Sequence, residues 1–586
     1  MSYEALATYA KDRKDFSNNE DRSSMEEKWA NGIKAYNNFV AASYSGHTKI
    51  NVPESFATSF RIFSAFNADI RSNPELAQFI PYPKTLQDGL IAVDSSKAFQ
   101  NVSDYYINQN NVLKDVSNFL LEAVTLGTAH ARTTWDAKTD SPIIKHRPLE
   151  NIRLDPKIIP SQKSPWEGEF VIDTSFASFD SLKQNDKFFN LSQVNDKVTK
   201  KSPTQDNSSI VRQAYDTSLA LGMEGVEERD RQSDMVVVDE YWGMVPRRIL
   251  TGQRKQGYSG TDLKDYVLAQ VIMAEGVVIF ASESPYEKIP YDVFRCYPRT
   301  NFYYGIGVPE LIRDLQRVLN GIVNQRMDNV SLILNRMWKY RAGMVNPKLL
   351  VSRPGGAVPV TGDVRGSLEP IETPDVTQSS YAEQQNIGEY IQKSTGAADI
   401  FFGTTNKFNE TATEVQTKTE LGAGMLQEII AGMVRDGFIP MMSKWRDLIL
   451  DFQTEPVSVL TGGQVVTINP EDFSTSYALI PSIGDKMFTK PAEFNKAMAM
   501  FQVAAQAKEI LAMEGTDLKL TPIFEKVYTN AGYKDKDAVI TQAQQQPGLP
   551  GQPQTGQEVG SQGVLGGSGA IQGDSGIPPE LAAILS

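Results

Sequence analysis

Cysteine is all but missing from this chain of 586 residues, with Cys296 the only one. A single thiol makes no intrachain disulfide and no thiolate metal cluster, so the fold must hold by packing, as suits a reducing compartment. Cys296 is expected to be a half-buried strand residue rather than a nucleophile. Histidine is nearly as scarce: His47, His130 and His146 lie far apart, which favours structural or surface roles. The phosphate-cradling Gly-x-x-x-x-Gly-Lys-Ser/Thr loop is missing, as are His-Glu-x-x-His and Gly-x-Ser-x-Gly. With those absences no catalytic residue, metal or cofactor is expected. The 71 acidic side chains still leave room for an acidic pair, although Thr261 to Asp265 reads as a solvated turn.

Long apolar runs are missing too. The most apolar stretch, Val271 to Ala281, is broken by Glu275 and falls short of the ~18 to 20 residues a membrane helix needs. Met1 to Asp15 has neither the basic start nor the apolar core of a secretory leader, so the protein is expected to stay in the cytoplasm where it is made. Positive charge is in deficit, with 58 basic against 71 acidic residues and a net charge of −13. Such a balance argues against coating nucleic acid tightly, which relies on lysine and arginine displacing counterions from phosphates. It is compatible with a duplex that passes without sticking, because an acidic lining repels phosphates.

What is there is an ordinary soluble composition, 40% hydrophobic and 22% charged. The length suits two to four domain-sized units. The fold class expected is α+β, mainly α. Glu26 to Val124 reads as largely helical, with Trp29, Ile33, Tyr36, Phe39 and Val40 at helix spacing. A helix over Val112 to Leu126 should stop at Gly127, because glycine takes the left-handed terminal turn without a steric cost. Ala131 to Trp135, a turn near Asp140 and a strand up to His146 predict a hairpin against those helices. From Ser192 to Ser233 the chain is polar and reads as a surface excursion. Beta character returns at Met235 to Trp242, Val277 to Phe280 and Pro290 to Phe294, three strands expected to pair with one another.

The most informative helix starts at Gly307-Val308-Pro309-Glu310, where proline costs nothing and the acidic residue favours the positive helix end. Val308, Leu311, Ile312, Leu315, Val318, Leu319, Ile322, Val323, Met327, Val330, Ile333 and Leu334 form its apolar stripe. Arg313, Asp314, Gln316, Arg317, Asn320, Asn324, Gln325 and Asp328 occupy its other face. A turn-rich beta insert, Met344 to Val360, follows, then a helix from about Ser379 to Ser394. Next come a loop over Gly396 to Thr411 carrying Phe401, Phe402 and Phe408, and a long helix from Ala412 to Phe452. Beyond Pro456 a beta segment turns at Gly462-Gly463, and helices are expected at Pro491 to Met513 and Thr521 to Tyr528. The Gln-, Gly- and Pro-rich stretch from Gln542 reads as disordered.

Four runs make the chain resemble the portal, or head-to-tail connector, proteins of tailed phages, especially short-tailed ones. They are Leu120 to Ala129 leading into Trp135-Asp136; Arg147 to Pro156 with its Asp-Pro ending; Tyr303 to Gly307 feeding Asp314 to Asn320; and Ser394-Thr395-Gly396 followed by Glu410 to Val415. The resemblance covers roughly residues 30 to 450. It implies a ring subunit with a wing (1–306, with the polar excursion 192–233), a stem helix (307–335), a small β-rich clip (336–378) and a second stem helix (379–397). A tunnel loop (398–411), a long wing helix with a β segment (412–480), a C-terminal helical crown (481–541) and the tail (542–586) would follow.

By the same resemblance, Phe401, Phe402, Lys407 and Phe408 would face the DNA in the tunnel loop. Arg313, Arg317, Asn320 and Arg326 would do so on the stem, and Lys348 and Arg353 would meet terminase or adaptor at the clip. The implied protein is not an enzyme: it would form a homo-oligomeric ring of about twelve copies at one capsid vertex of the virion. Double-stranded DNA would pass through it during packaging and ejection. Its implied partners are terminase, tail adaptor proteins, the major capsid protein and, inside the shell, scaffold or ejection proteins, with no membrane. The alternatives are another tail or baseplate structural protein, or a nucleic-acid enzyme such as a terminase subunit, which would need the phosphate loop or metal-binding carboxylates.

Overall fold

A computed structural model describes residues 3–38, 48–72, 77–81, 86–157, 168–198, 235–250, 265–335, 337–350, 357–363, 366–372, 377–397, 425–461, 464–473, 477–481 and 500. All of them belong to one compact unit, Met1–Lys534, and a second unit, Asp535–Ser586, lies outside the described residues. Outside them too lie Phe39, Val40, His47, Thr261 to Lys264, the Gly462-Gly463 turn, the expected tunnel loop, both expected crown helices except the single residue Met500, and the Gln-rich tail.

The N-terminal part is helical as its periodicity predicts, with α1 (Glu4–Ser17), α2 (Glu20–Tyr36), α3 (Glu54–Ser72), α4 (Leu86–Gln109) and α5 (Val112–Leu126). One strand, β1 (Ala77–Pro81), interrupts it and pairs antiparallel with β14 (Tyr477–Pro481) from the far end of the unit. Along α5 the buried side chains Val112, Val116, Phe119, Leu120, Ala123 and Val124 follow the helical period, so one face enters the core. Gly127 ends it at φ +87°.

Among the described residues, two sheets have more than two strands. In the first, the expected hairpin of β2 (Thr128–Asp136) and β3 (Ser141–Arg147) packs on α5, and β9 (Tyr291–Arg295) pairs with the other edge of β2. In the second, β4 (Ile152–Leu154), β5 (Phe170–Ser178), β6 (Met235–Pro246), β7 (Tyr266–Ala274) and β8 (Val277–Glu283) lie in chain order, all antiparallel. The expected mutual pairing of Met235 to Trp242, Val277 to Phe280 and Pro290 to Phe294 is therefore corrected. β7 separates the first two, and the third joins the other sheet. Tyr291 to Phe294 are all buried, so β9 needs cover on both faces rather than an edge of the second sheet. Glu275, read only as a break in an apolar run, forms with Gly276 the β7–β8 turn at φ +48° and +71°, the two positive values a tight hairpin demands.

Three further expectations change. Cys296 is fully buried just beyond β9, where burial pushes its thiol well up. The polar excursion begins as a helix, α7 (Leu191–Val198), anchored by buried Val194; α6 (Phe179–Lys183) precedes it. The long wing helix is helical over its described part, 425–452, but contains a π turn at Val434–Phe438 before α11 (Ile439–Phe452). Pro440 lacks an N–H for the ladder there, and Gly437 leaves room for a ring: an added Cβ would stand 2.6 Å from Phe294 Cε1.

The remaining elements are α8 (Arg247–Leu250), α9 (Val308–Leu334), the ribbon of β10 (Trp338–Tyr340) and β11 (Leu368–Pro370), α10 (Thr377–Thr395), and the hairpin of β12 (Val457–Thr461) and β13 (Gln464–Ile468). The largest core joins α3, α4, α5, the first sheet, α9, α10 and α11. The two sheets are bound by charge. Arg132 on β2 grips Glu240 on β6 through two bonds of 2.6 and 2.8 Å. Arg147 on β3 and Tyr291 on β9 both donate to Asp173 on β5, at 2.7 and 2.9 Å. Under α11, buried Lys444 binds Asp292 at 2.8 Å. Removing one partner of such a buried pair strands the other charge.

The tightest constraint is a crossing of backbones. A Cβ added at Gly127 would lie 2.6 Å from Gly307 N and from Ile306 C; one at Gly307 would strike Thr125 O, and one at Gly305 would strike Gly127 O. The Gly305 N–H donates to Thr128 Oγ1 at 2.9 Å, and the Cys296 N–H to Gly127 O at 3.1 Å. Gly388, in contrast, has nothing within 4 Å of its missing Cβ. Gly307→Ala should destabilise the chain by about 3 kcal/mol or more, because backbone cannot yield as a side-chain tip can. Gly388→Ala, inside α10, should stabilise it by about 0.5 to 1 kcal/mol. Chemical denaturation of the two variants measures both, and equal effects would contradict the crossing.

Candidate functional site

The backbone crossing delivers Gly307, the N-cap of α9, and Pro309 follows in the first turn, where its missing N–H breaks no bond. Glu310 takes ion pairs from Arg299 at 2.6 Å and Lys28 at 3.5 Å, so the helix start is tied to the loop before it and to α2. Ile312, Leu319 and Val323 are buried in the core.

The face read as polar and outward is partly an internal binding surface. Gln316, Asn320, Asn324 and Asp328 stand four residues apart and receive a strap, residues 48–53, together with the first turn of α3 into which it leads. The N–H groups of Thr48, Ile50, Val52 and Ser55 donate to Asp328 Oδ1 (2.8 Å), Asn324 Oδ1 (2.6 Å), Asn320 Oδ1 (3.0 Å) and Gln316 Oε1 (3.0 Å). In return Asn324 Nδ2 and Gln316 Nε2 donate to the carbonyls of Ile50 and Val52, at 3.0 and 2.8 Å. The match is geometric. Four helical residues rise ~6 Å and two extended residues span ~6.6 Å, so Thr48, Ile50 and Val52 meet successive rungs; the last step, to Ser55, takes three residues because the chain has entered α3 by then.

Farther along, α9 leaves the body. Val330 and Leu334 stand about five turns beyond Ile312 and Gln316, on the same lines of the helix. Yet Ile312 and Gln316 are 0% and 8% exposed, whereas Val330 and Leu334 are 36% and 69% exposed. The expected apolar stripe is therefore covered over its first half and open at its end. Its Val318 is exposed as well. The exposure continues through Met337, Trp338 and Tyr340 into the ribbon.

The stem candidates fall into two pairs. Arg313 and Arg317 are exposed, 3.3 and 3.9 Å from Asp314. Asn320 is a rung of the strap ladder. Arg326 is buried, and its guanidinium lies 4.1 Å from the ring centre of Tyr381 on α10, a cation–π contact joining the two helices. Lys348 is exposed in a short turn whose N–H donates to Asn346 Oδ1 at 3.1 Å. Arg353, Phe401, Phe402, Lys407 and Phe408 lie outside the described residues. Among the described residues, no group of three His, Cys, Asp or Glu could hold a metal ion, and no helix is long and apolar enough to cross a membrane.

Sequence reasoning missed Gln316, Asn324 and Asp328 as a ladder and Tyr381 as the cover of Arg326. The available signal was the strict spacing of short amides on a face where a solvated helix would carry lysine and glutamate. The other resembling runs also find places. Leu120 to Ala129 and Tyr303 to Gly307 meet at the backbone crossing. Asp155 accepts the N–H groups of Lys157 and Glu169, at 3.0 and 3.1 Å, and so ties residues 157 and 169 together. Thr395 O accepts from Tyr297 OH at 2.8 Å as α10 closes at Gly396.

A family model described as the phage SU10 portal protein matches residues 90–562, well over half of the chain. The chain belongs to that family. No curated protein matches it. It is thus a bacteriophage portal protein, a virion component of the head connector, and its family is structural rather than enzymatic. The match takes in both larger sheets, α9, α10 and α11, while α1, α2 and α3 precede it.

Two of this portal protein's contacts yield direct tests. In Asn320→Ala the N–H of Val52 loses its acceptor, and an unmet half-buried donor costs about 1 kcal/mol, the low end of the range for buried groups. Faster amide exchange across 48–52 with a lower unfolding midpoint is expected; unchanged exchange would show that the rung carries no load. His130 is buried with Nε2 3.0 Å from Tyr303 OH, and burial lowers its pKa from 6.5 to about 3. The unfolded chain therefore binds the extra proton below pH 6.5, and the folded chain only near pH 3. Stability should fall by roughly 1.4 kcal/mol per pH unit through that window on account of this group. His130→Gln should show a correspondingly smaller loss between pH 7.5 and 5.5 in thermal melts, and identical losses would refute the assignment.

Proposed function

We propose that this portal protein assembles head to tail into a ring at one capsid vertex, and that the ring encloses a channel through which double-stranded DNA is packaged and ejected. One observation carries the reading: the outer half of α9 exposes Met327, Val330 and Leu334 of the apolar stripe whose Val308, Ile312, Leu319 and Val323 the body buries. A second copy of the chain is the natural cover, and a heterologous contact that closes by rotation makes a ring with a hole. Uncovered, Met327, Val330 and Leu334 would form an apolar patch of the kind that marks an interaction surface.

In such a ring the exposed Arg313 and Arg317, both beside Asp314, are the stem cations placed to meet phosphates. Asn320 and Arg326 serve inside the subunit. The clip, 336–378, with Lys348 and Arg353, would receive terminase during packaging and the tail adaptor afterwards. The wing would face the major capsid protein. The loop 398–411, with Phe401, Phe402, Lys407 and Phe408, is the segment read as projecting into the bore.

Electron microscopy of the purified chain, with light scattering at micromolar concentration, tests the ring. Annular particles with a central hole are the expected result, and Val330→Asp with Leu334→Asp should reduce them to small species. A monomer at physiological salt in the unsubstituted protein would overturn the reading.

A further inference from the structure

Arg326 is left incomplete by its own subunit. It is 7% exposed, its Nε and Nη1 are buried without an acceptor, and it forms no ion pair with any described residue. The Tyr381 ring, 4.1 Å away, meets the face of the guanidinium, whereas the N–H donors lie in its plane and stay unmet. A charge taken out of water normally remains there only when it is paired. Gln384, three residues on from Tyr381, also has a buried Oε1 without a donor, but an amide could meet one N–H and would leave the charge.

The place of Arg326 says where a counter-charge can come from. Val323 before it is buried, while Met327 and Val330 beside it are each 36% exposed and belong to the surface that the ring reading gives to the next copy. Rotation about a ring axis keeps every atom at its own height. With α9 and α10 along that axis, a contact therefore joins residues at one level of two copies. Asp314 lies about 18 Å along the helix from Arg326 and is not level with it. Asp328 already accepts the Thr48 N–H, and Glu389 pairs with Lys393 at 3.8 Å.

Glu383 remains. It is exposed, has no partner among the described residues, and stands two residues from Tyr381, a rise of about 3 Å. Two residues also turn the helix by about 200°, so Tyr381 and Glu383 flank the buried Ile387 and Ile391 from opposite sides. A head-to-tail contact sets one flank against the opposite flank of the next copy, which brings Glu383 towards Arg326.

We infer that Glu383 of one copy completes Arg326 of the next, its carboxylate meeting the guanidinium at the edge of the α9–α10 seam. The inference rests on the ring reading and adds to it a pair of residues. Carboxylate and guanidinium match as two forks, so one group supplies two acceptors once the guanidinium turns slightly outward beneath Tyr381. Within the subunit Arg326 ties α9 to α10; its charge is met only on assembly.

Light scattering of the purified chain over a dilution series, with denaturation of the unassembled chain, tests the pair. Glu383→Gln should raise the concentration needed for assembly roughly tenfold and leave the unfolding midpoint unchanged, since this side chain stands in water. Arg326→Met should raise that concentration by a similar factor and also raise the midpoint, because an apolar side chain replaces an unpaired buried charge. Together the two substitutions should weaken assembly no more than either alone. An additive loss of about a hundredfold, assembly indifferent to Glu383→Gln, or a lower midpoint in Arg326→Met would overturn the pair and leave the ring standing. An unsubstituted protein that never assembles would instead remove the ring, and the pair with it.

Discussion

The constraint on which the rest depends is the contact of two backbones at Gly127 and Gly305–Gly307. Three consequences meet there. α5 must stop, because Gly127 takes a left-handed conformation; β2 must begin, because the Thr128 hydroxyl is engaged by the Gly305 N–H; and α9 must start where Gly307 leaves the crossing. The direction of the long helix is therefore set before any of its side chains makes a contact. Side chains then secure that direction through Glu310 at its start, the core residues Ile312, Leu319 and Val323, and the strap ladder on its flank.

Local signals in the sequence carried far. Val112 to Leu126 and Val308 to Leu334 are helices with the expected limits, because each has an unbroken apolar period and a glycine at one boundary. The β2–β3 hairpin was equally plain, with Asp140 in the positive-φ turn between alternating strands. Nonlocal choices were hidden. β1 pairs with β14 across most of the unit, β7 inserts between two strands that read as partners, and β9 goes to the first sheet. Nothing in the periodicity of a strand says which edge it will find.

At the site the same division holds. Arg313 and Arg317 are exposed on α9 as their position on the polar face suggests, since they and the neighbouring Asp314 keep their charges in water. Arg326 falls between Val323 and Val330 in the apolar period and is accordingly buried, against Tyr381. The polarity of Asn320 was legible, but what it faces was not. An amide reads as outward in a sequence whether it meets water or another backbone.

That last ambiguity has a consequence for how the strap tolerates change. The rungs Gln316, Asn320, Asn324 and Asp328 bind peptide groups, and the side chains of Thr48, Ile50 and Val52 take no part in those bonds. What the helix recognises is chiefly a length, two strap residues for each four of its own from Thr48 to Val52, rather than a set of letters. The side chains of Thr48 and Ile50 can vary while the spacing is kept, whereas Asn51 accepts from Asn320, Val52 packs on the core and the Ser55 hydroxyl donates to Gln316. A single inserted or deleted residue, in strap or helix, would throw every later rung out of step at once.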